Sequence, residues 1–238
     1  MLKPRVFPNH EAVSRFAAER LAEELRRKPD SLLCLATGRT PMRTYELLAE
    51  RRTSEPQLFD RMRIVNLDEW TGLSPDDPAT CGRHLRDALI DPLDMADRYI
   101  SFESQAADPD ADCVRVATWL AQNGPIDISV LGLGVNGHLG FNEPADFLQP
   151  HAHLVRLSES SLSHTMIGEC AARPARGVTL GMDDLMQSKK VYFLVTGRTK
   201  RLILREILTG RINTVVPGSL LHLHPNAELL CDEAAVGS

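Results

Sequence analysis

No stretch near the N-terminus has the basic-then-apolar pattern of a secretion signal, and no apolar run approaches the roughly 20 residues needed to cross a bilayer. Both absences point to a cytoplasmic protein with no membrane partner. The five cysteines, Cys34, Cys81, Cys113, Cys170 and Cys231, include no CxxC pair. That argues against a zinc cluster or a disulfide framework and leaves isolated thiols. The formal charge of −5 comes without a long Lys/Arg run, so there is no electrostatic footprint for nucleic acid. Any anionic ligand must be held by local groups. Linkers rich in Ser, Gly or Pro and low-complexity tracts are also missing, and 43% of the 238 residues are hydrophobic. The chain therefore reads as one well-filled domain over residues 1–238.

What is present is an alternation of helical and strand periods. Val13, Phe16, Ala17, Leu21 and Leu25 recur at helical spacing, and Ser31 to Ala36 follows as a buried strand. Further on, the pattern predicts a helix from Pro41 to Arg52, a strand from Met62 to Leu67, a helix from Val114 to Gln122 and a strand from Ile126 to Leu131. A strand at Val191–Val195, a helix at Lys200–Leu208 and a last strand at Glu228–Cys231 complete it. Short, uniformly apolar strands alternating with helices predict an α/β fold of three layers, Rossmann-like, with a mainly parallel sheet covered by helices on both faces. Ligands of such folds bind beyond the carboxyl ends of the strands.

Two short echoes sit at such ends, Thr37-Gly38-Arg39-Thr40 and Thr196-Gly197-Arg198-Thr199, each between a strand and a helix. In the first, Thr40 is placed to cap the helix and Pro41 to occupy its first position, leaving free N–H groups and two hydroxyls near a flexible glycine. That is an anion site, or else an ordinary capped turn. In the second, Lys200 opens a helix at its positive dipole end, a conflict that a bound anion relieves. An exposed lysine in water is the plainer alternative.

Gly132-Leu133-Gly134-Val135-Asn136-Gly137 satisfies GxGxxG, yet a dinucleotide site needs a helix to open at the third glycine. Gly140 and Pro144 argue against one. The loop instead gathers Asn136, His138, Asn142 and Glu143. A histidine shuttles protons near neutrality and a carboxylate on its far nitrogen fixes its tautomer, while Gly134 and Gly137 allow close approach to a substrate. A structural histidine bonded to a carbonyl is the alternative. In Asn66-Leu67-Asp68-Glu69-Trp70 a strand ends in two carboxylates that should face opposite ways, so only one need face a cleft. Beside an aromatic such a carboxyl can have its pKa raised and act as a base, unless it is a helix cap or surface acid. The HxH pairs His151/His153 and His222/His224 lack the third ligand of a metal site, and no metal is expected.

With these residues in view, the sequence resembles the glucosamine-6-phosphate deaminase family almost from end to end. The resemblance is carried by Leu35–Met42, Asn66–Gly72, Leu131–Pro144 and Val195–Lys200. The shorter galactosamine-6-phosphate deaminases are more similar still, through Leu67–Trp70, Ala79–Cys81, Gly177–Gly181 and Pro217–Pro225. The resemblance implies isomerisation and deamination of a hexosamine 6-phosphate without metal or other cofactor. Asp68 is then the base that moves a proton from C2 to C1, and His138, with Glu143 behind it, opens the ring. Thr37, Gly38, Arg39, Thr40, Glu69, Gly134, Gly137 and Lys200 bind substrate. The chain departs from the family pattern twice. Asn136 stands where many members have Asp, and the phosphate-binding arginine expected near Ser163–Ile167 is missing, with His164 or Arg39 as substitutes.

Two rivals remain. A 6-phosphogluconolactonase shares the phosphate loops but not Phe141–Pro144 or the Asp-Glu-Trp step. A non-catalytic sugar-phosphate sensor would bind without reacting. The implied partner is a small sugar phosphate, and self-association is left open.

Overall fold

The computed structural model describes residues 1–162 and 174–237. In chain order its strands are β1 (Pro4–Phe7), β2 (Leu32–Leu35), β3 (Arg63–Asn66), β4 (Asp68–Trp70), β5 (Tyr99–Ile100), β6 (Ile128–Leu131), β7 (His153–Arg156), β8 (Arg176–Thr179), β9 (Lys190–Val195) and β10 (Ala227–Asp232). Its α-helices are α1 (His10–Arg27), α2 (Arg39–Ala49), α3 (Cys81–Leu85), α4 (Asp91–Leu93), α5 (Pro109–Asn123), α6 (Glu159–Leu162), α7 (Met182–Met186), α8 (Arg201–Leu208) and α9 (Glu233–Val236).

The main sheet has seven strands in the order β1-β10-β9-β6-β2-β3-β5, and every adjoining pair is parallel. Its inner strands β2, β6 and β9 are largely apolar because both faces are covered. Leu33 and Leu35 of β2 join one core with Val13, Leu21 and Leu25 of α1 and Tyr45 and Leu48 of α2. Leu32 and Cys34 turn the other way, into a second core with Val116 of α5 and Leu204 and Ile207 of α8. The period-two alternation of a strand thus feeds two cores, one on each side. The chain runs outward from β2 to β3 and β5, then returns to the other side for β6, β9 and β10, which leaves a topological switch between β2 and β6.

Three features differ from the periodicity. β1 is an edge strand whose residues are mostly exposed, so Pro4–Phe7 has no apolar run to reveal it. A separate antiparallel sheet, β4-β8-β7, pairs Asp68 with Thr179 and Glu69 with Val178, and its strands are too short for a period to emerge. The predicted helix at Val114–Gln122 starts earlier, at Pro109, because Asp108 caps it by accepting from the N–H groups of Asp110 and Ala111. Among the described residues no helix is long and apolar enough to cross a membrane. Cys34, Cys81, Cys113 and Cys231 are buried free thiols, and Cys170 lies outside the described residues.

Candidate active site

A cleft of about 770 Å³ opens over the carboxyl ends of β2, β3, β6, β9 and β10, at the switch between β2 and β6. Thr37–Thr40 after β2, Asp68 after β3, Gly134 and His138 after β6, Thr196–Lys200 after β9 and Asp232 at the end of β10 all line it. Residues distant in sequence therefore share one cavity because parallel strands present all their carboxyl ends to the same edge.

Asp68 is buried in the cleft, 7% exposed, and its Oδ1 has no hydrogen-bond partner among the described residues. Burial pushes its carboxyl up to about 7, against the opposing pull of the Cys81 thiol. A carboxyl in that range can take up and return a proton near neutral pH. Glu69, expected at the substrate, points the other way along β4. Its Oε1 accepts from the N–H groups of Trp70 (2.8 Å) and Cys81 (2.9 Å), and its Oε2 from Gly82 (2.7 Å), so it holds the start of α3. Burial pushes this carboxyl up to about 7 as well, while the three amides pull it down. The alternation of strand side chains is the reason for the split.

His138 is presented by a loop with no helix after Gly137, so the helix a dinucleotide motif requires is not there. Gly134 lies so close that a Cβ there would sit 2.3 Å from the imidazole, and its N–H donates to the His138 carbonyl at 3.0 Å. Gly137, with φ of 95°, closes the turn and donates its N–H to the Gly134 carbonyl; it does not line the cleft. Behind the ring, Glu143 Oε2 lies 3.4 Å from His138 Nδ1. Burial disfavours the Glu143 charge, yet His138, Ser161 and Asn136 outweigh it and bring the carboxyl down to about 2. Asn136 does not face the cleft. It donates to Glu143 Oε2 at 2.7 Å and accepts the His138 N–H at 3.2 Å.

The two echoed loops meet. Gly38 and Gly197 have φ of 96° and 88°, a left-handed conformation that only glycine adopts without strain, and each turns a strand directly into a helix. Thr40 Oγ1 contacts Thr196 Oγ1 at 3.2 Å across the cleft floor. Here the cap expectation is corrected. α2 begins at Arg39 with Gly38 as its N-cap and no side-chain cap, because the positive φ of the glycine starts the helix earlier; Thr40 is freed to reach the other loop. The ammonium of Lys200 has no partner among the described residues, and desolvation lowers its pKa below 10.5. Arg39 and Arg198 line the same end and likewise make no side-chain hydrogen bond or ion pair among the described residues. This end of the cleft is a positive pocket in a chain of net negative charge.

A family model described as glucosamine-6-phosphate isomerases/6-phosphogluconolactonase matches residues 9–230. The chain belongs to that family. Within it, the chain is 40% identical over 220 residues to AgaI of Escherichia coli (strain K12), a presumptive deaminase, covering 92% of this chain and 87% of that one. It is 34% identical over 229 residues to glucosamine-6-phosphate deaminase 1 of Bacillus subtilis (strain 168), covering 95% of each. The structure of a monomeric glucosamine-6-phosphate deaminase superposes with a TM-score of 0.93 at 33% identity, covering 98% of both chains. The 6-phosphogluconolactonase of Thermotoga maritima shares the fold, with a TM-score of 0.78 at 20% identity over 98% of this chain and all of that one.

His164 lies outside the described residues, as does the stretch where the family's arginine was expected. His10, Cys81, Ser161 and Asp232 line the cleft of this family member without having been singled out. Asp232 takes the Gly197 N–H at 2.9 Å and caps α9; its place at a strand's carboxyl end was the available signal. Ser161 and His10 gave none. The HxH pairs are structural: His222 accepts the Leu2 N–H and donates to the Ile207 carbonyl, and His151 meets Asp184 at 2.9 Å. Among the described residues no group of three or more His, Cys, Asp or Glu could hold a metal ion.

Proposed function

We propose that the chain isomerises and deaminates a hexosamine 6-phosphate, glucosamine or galactosamine 6-phosphate, to a ketohexose 6-phosphate and ammonia. The observation that carries this reading is Asp68. A carboxyl with a pKa of about 7 sits in the same cleft as an imidazole backed by an ionised acid and as an unpartnered lysine. Lys200 and the N–H groups and hydroxyls of the two loops hold the phosphate, with Arg39 beside them. His138 moves the proton at the ring oxygen as the pyranose opens. Asp68 takes the proton from C2 and delivers it to C1, and the C2 imine that remains is hydrolysed to release ammonia. One carboxylate serves both carbons because they are adjacent in a cis-enolamine.

This reading uses residues from a single α/β unit and from one copy of the chain, so it requires neither a second domain nor self-association. A lactonase would share the fold and the phosphate end but has no use for a carbon-acid base. The test is ammonia release from glucosamine 6-phosphate and galactosamine 6-phosphate, run beside hydrolysis of 6-phosphogluconolactone. Ammonia from at least one amino sugar is expected. Lactone hydrolysis without ammonia would replace this reading with the lactonase, and binding without either product would make the chain a sensor.

A further inference from the structure

Glu143 has more donors around it than a carboxylate needs to orient one imidazole. Ser161 Oγ donates a short hydrogen bond to Oε1 and also lies 3.4 Å from His138 Nδ1, so a single hydroxyl touches both members of the pair and lines the cleft. Ser158 reaches the same Oε1 twice, through its hydroxyl at 3.0 Å and its N–H at 3.3 Å. On the opposite oxygen, Asn136 donates at 2.7 Å, and its amide also lies 3.3 Å from Ser158 Oγ. Asn136 is oriented by its own carbonyl, which accepts the His138 N–H, so the NH2 group must face Glu143. An aspartate at 136 would have to place a second carboxylate against the first.

We propose that Ser161, with Ser158 and Asn136, is a positioning residue that keeps Glu143 a carboxylate and His138 in one orientation, doing with neutral donors what an acidic neighbour at 136 would do with charge. The proposal rests on His138 acting at the ring oxygen. Among the described residues the groups that reach Glu143 are His138, Asn136, Ser158 and Ser161, and His138 is the titratable one. With neutral donors on three sides, Glu143 stays charged throughout the range where the enzyme would be assayed. Glu143 then adds no ionisation of its own to the acid side of the profile. Two carboxylates at hydrogen-bond distance cannot both ionise freely, so an aspartate at 136 would share a proton with Glu143 up to a much higher pH.

The test follows kcat for ammonia release against pH in wild type, S161A, S161T and N136D, together with nitrogen magnetic resonance of the His138 ring in the unliganded proteins. Wild type should lose tenfold per pH unit below the Asp68 midpoint, a slope of one. N136D should approach a slope of two, as two groups must then be ionised. S161A should lower kcat about ten- to a hundredfold with KM nearly unchanged, the loss expected for one hydrogen bond to a charged group, and S161T should restore most of it. The Nδ1 signal should move in S161A and return in S161T. A slope of one in N136D together with an unmoved ring signal in S161A would overturn the proposal. A wild type that releases no ammonia would instead remove the function assigned above, and the ring signal would still judge the role of Ser161.

Discussion

Replacing Asp68 by Asn keeps the shape of the side chain and removes its charge, and the structure assigns the two properties opposite consequences. Burial moves the carboxyl from 3.8 to about 7. The native chain therefore holds this proton more tightly than the unfolded one, and the associated stability is complete below pH 3.8 and is lost as pH rises through 7. The shift is roughly 3 pH units, and at about 1.4 kcal/mol per unit the charged form costs about 4 kcal/mol of stability above pH 7. For a chain of this length that is a ceiling of roughly 10 °C in melting temperature. D68N should thus melt several degrees above wild type at pH 8, with the difference closing towards pH 4. Turnover should fall by about 10²–10⁴, the usual contribution of a general base. The wild type itself should lose activity tenfold per unit below pH 7, since the base must be ionised. Scanning calorimetry at pH 5 and pH 8, paired with the ammonia assay, reads both effects. A variant equally or less stable than wild type at pH 8 would show that Asp68 carries no desolvation penalty, and near-normal turnover would displace it as the base.

Three further outcomes follow from the site. Lys200→Met removes an unpartnered, desolvated ammonium, so KM for the sugar phosphate should rise about ten- to a hundredfold by the worth of a charge-assisted hydrogen bond, while the melting temperature holds or increases; an unchanged KM would take the lysine out of the phosphate end. Glu69→Ala strips the acceptor from three buried N–H groups, each worth about 1–3 kcal/mol when left unmet, and should lower the melting temperature by several degrees with KM close to wild type. A selective rise in KM would return Glu69 to the substrate. Gly134→Ala places a methyl group 2.3 Å from the His138 ring, and a displacement of about 1 Å can cost about 10² in rate, so kcat should collapse in a protein whose circular dichroism is unchanged.

The elements that could be read from the chain were those whose own residues carry the pattern. The helical spacing of Val13 to Leu25 and the apolar strands Ser31–Ala36 and Ile126–Leu131 appear as α1, β2 and β6 with ends shifted by a few residues. β1 and the small β4-β8-β7 sheet escaped because their strands are short or exposed, and because β1 and β4 pair with segments more than a hundred residues away. The loops bearing Asp68, His138 and Lys200 were visible because glycine, histidine and acid are concentrated at strand ends. Ser161 and His10 were not, since a lone serine or histidine on a helix says nothing until another element packs against it.

Taken alone, the sequence determined the alternation of strands and helices and the identity of the groups able to move protons, because each depends on neighbours within a few residues. The tertiary structure decided which carboxylate of Asp68-Glu69 enters the cleft, how far each acid's pKa moves, and which donors surround Glu143. Desolvation and hydrogen-bond partnership are sums over everything packed around a group, and strands brought side by side by the sheet contribute most of those neighbours.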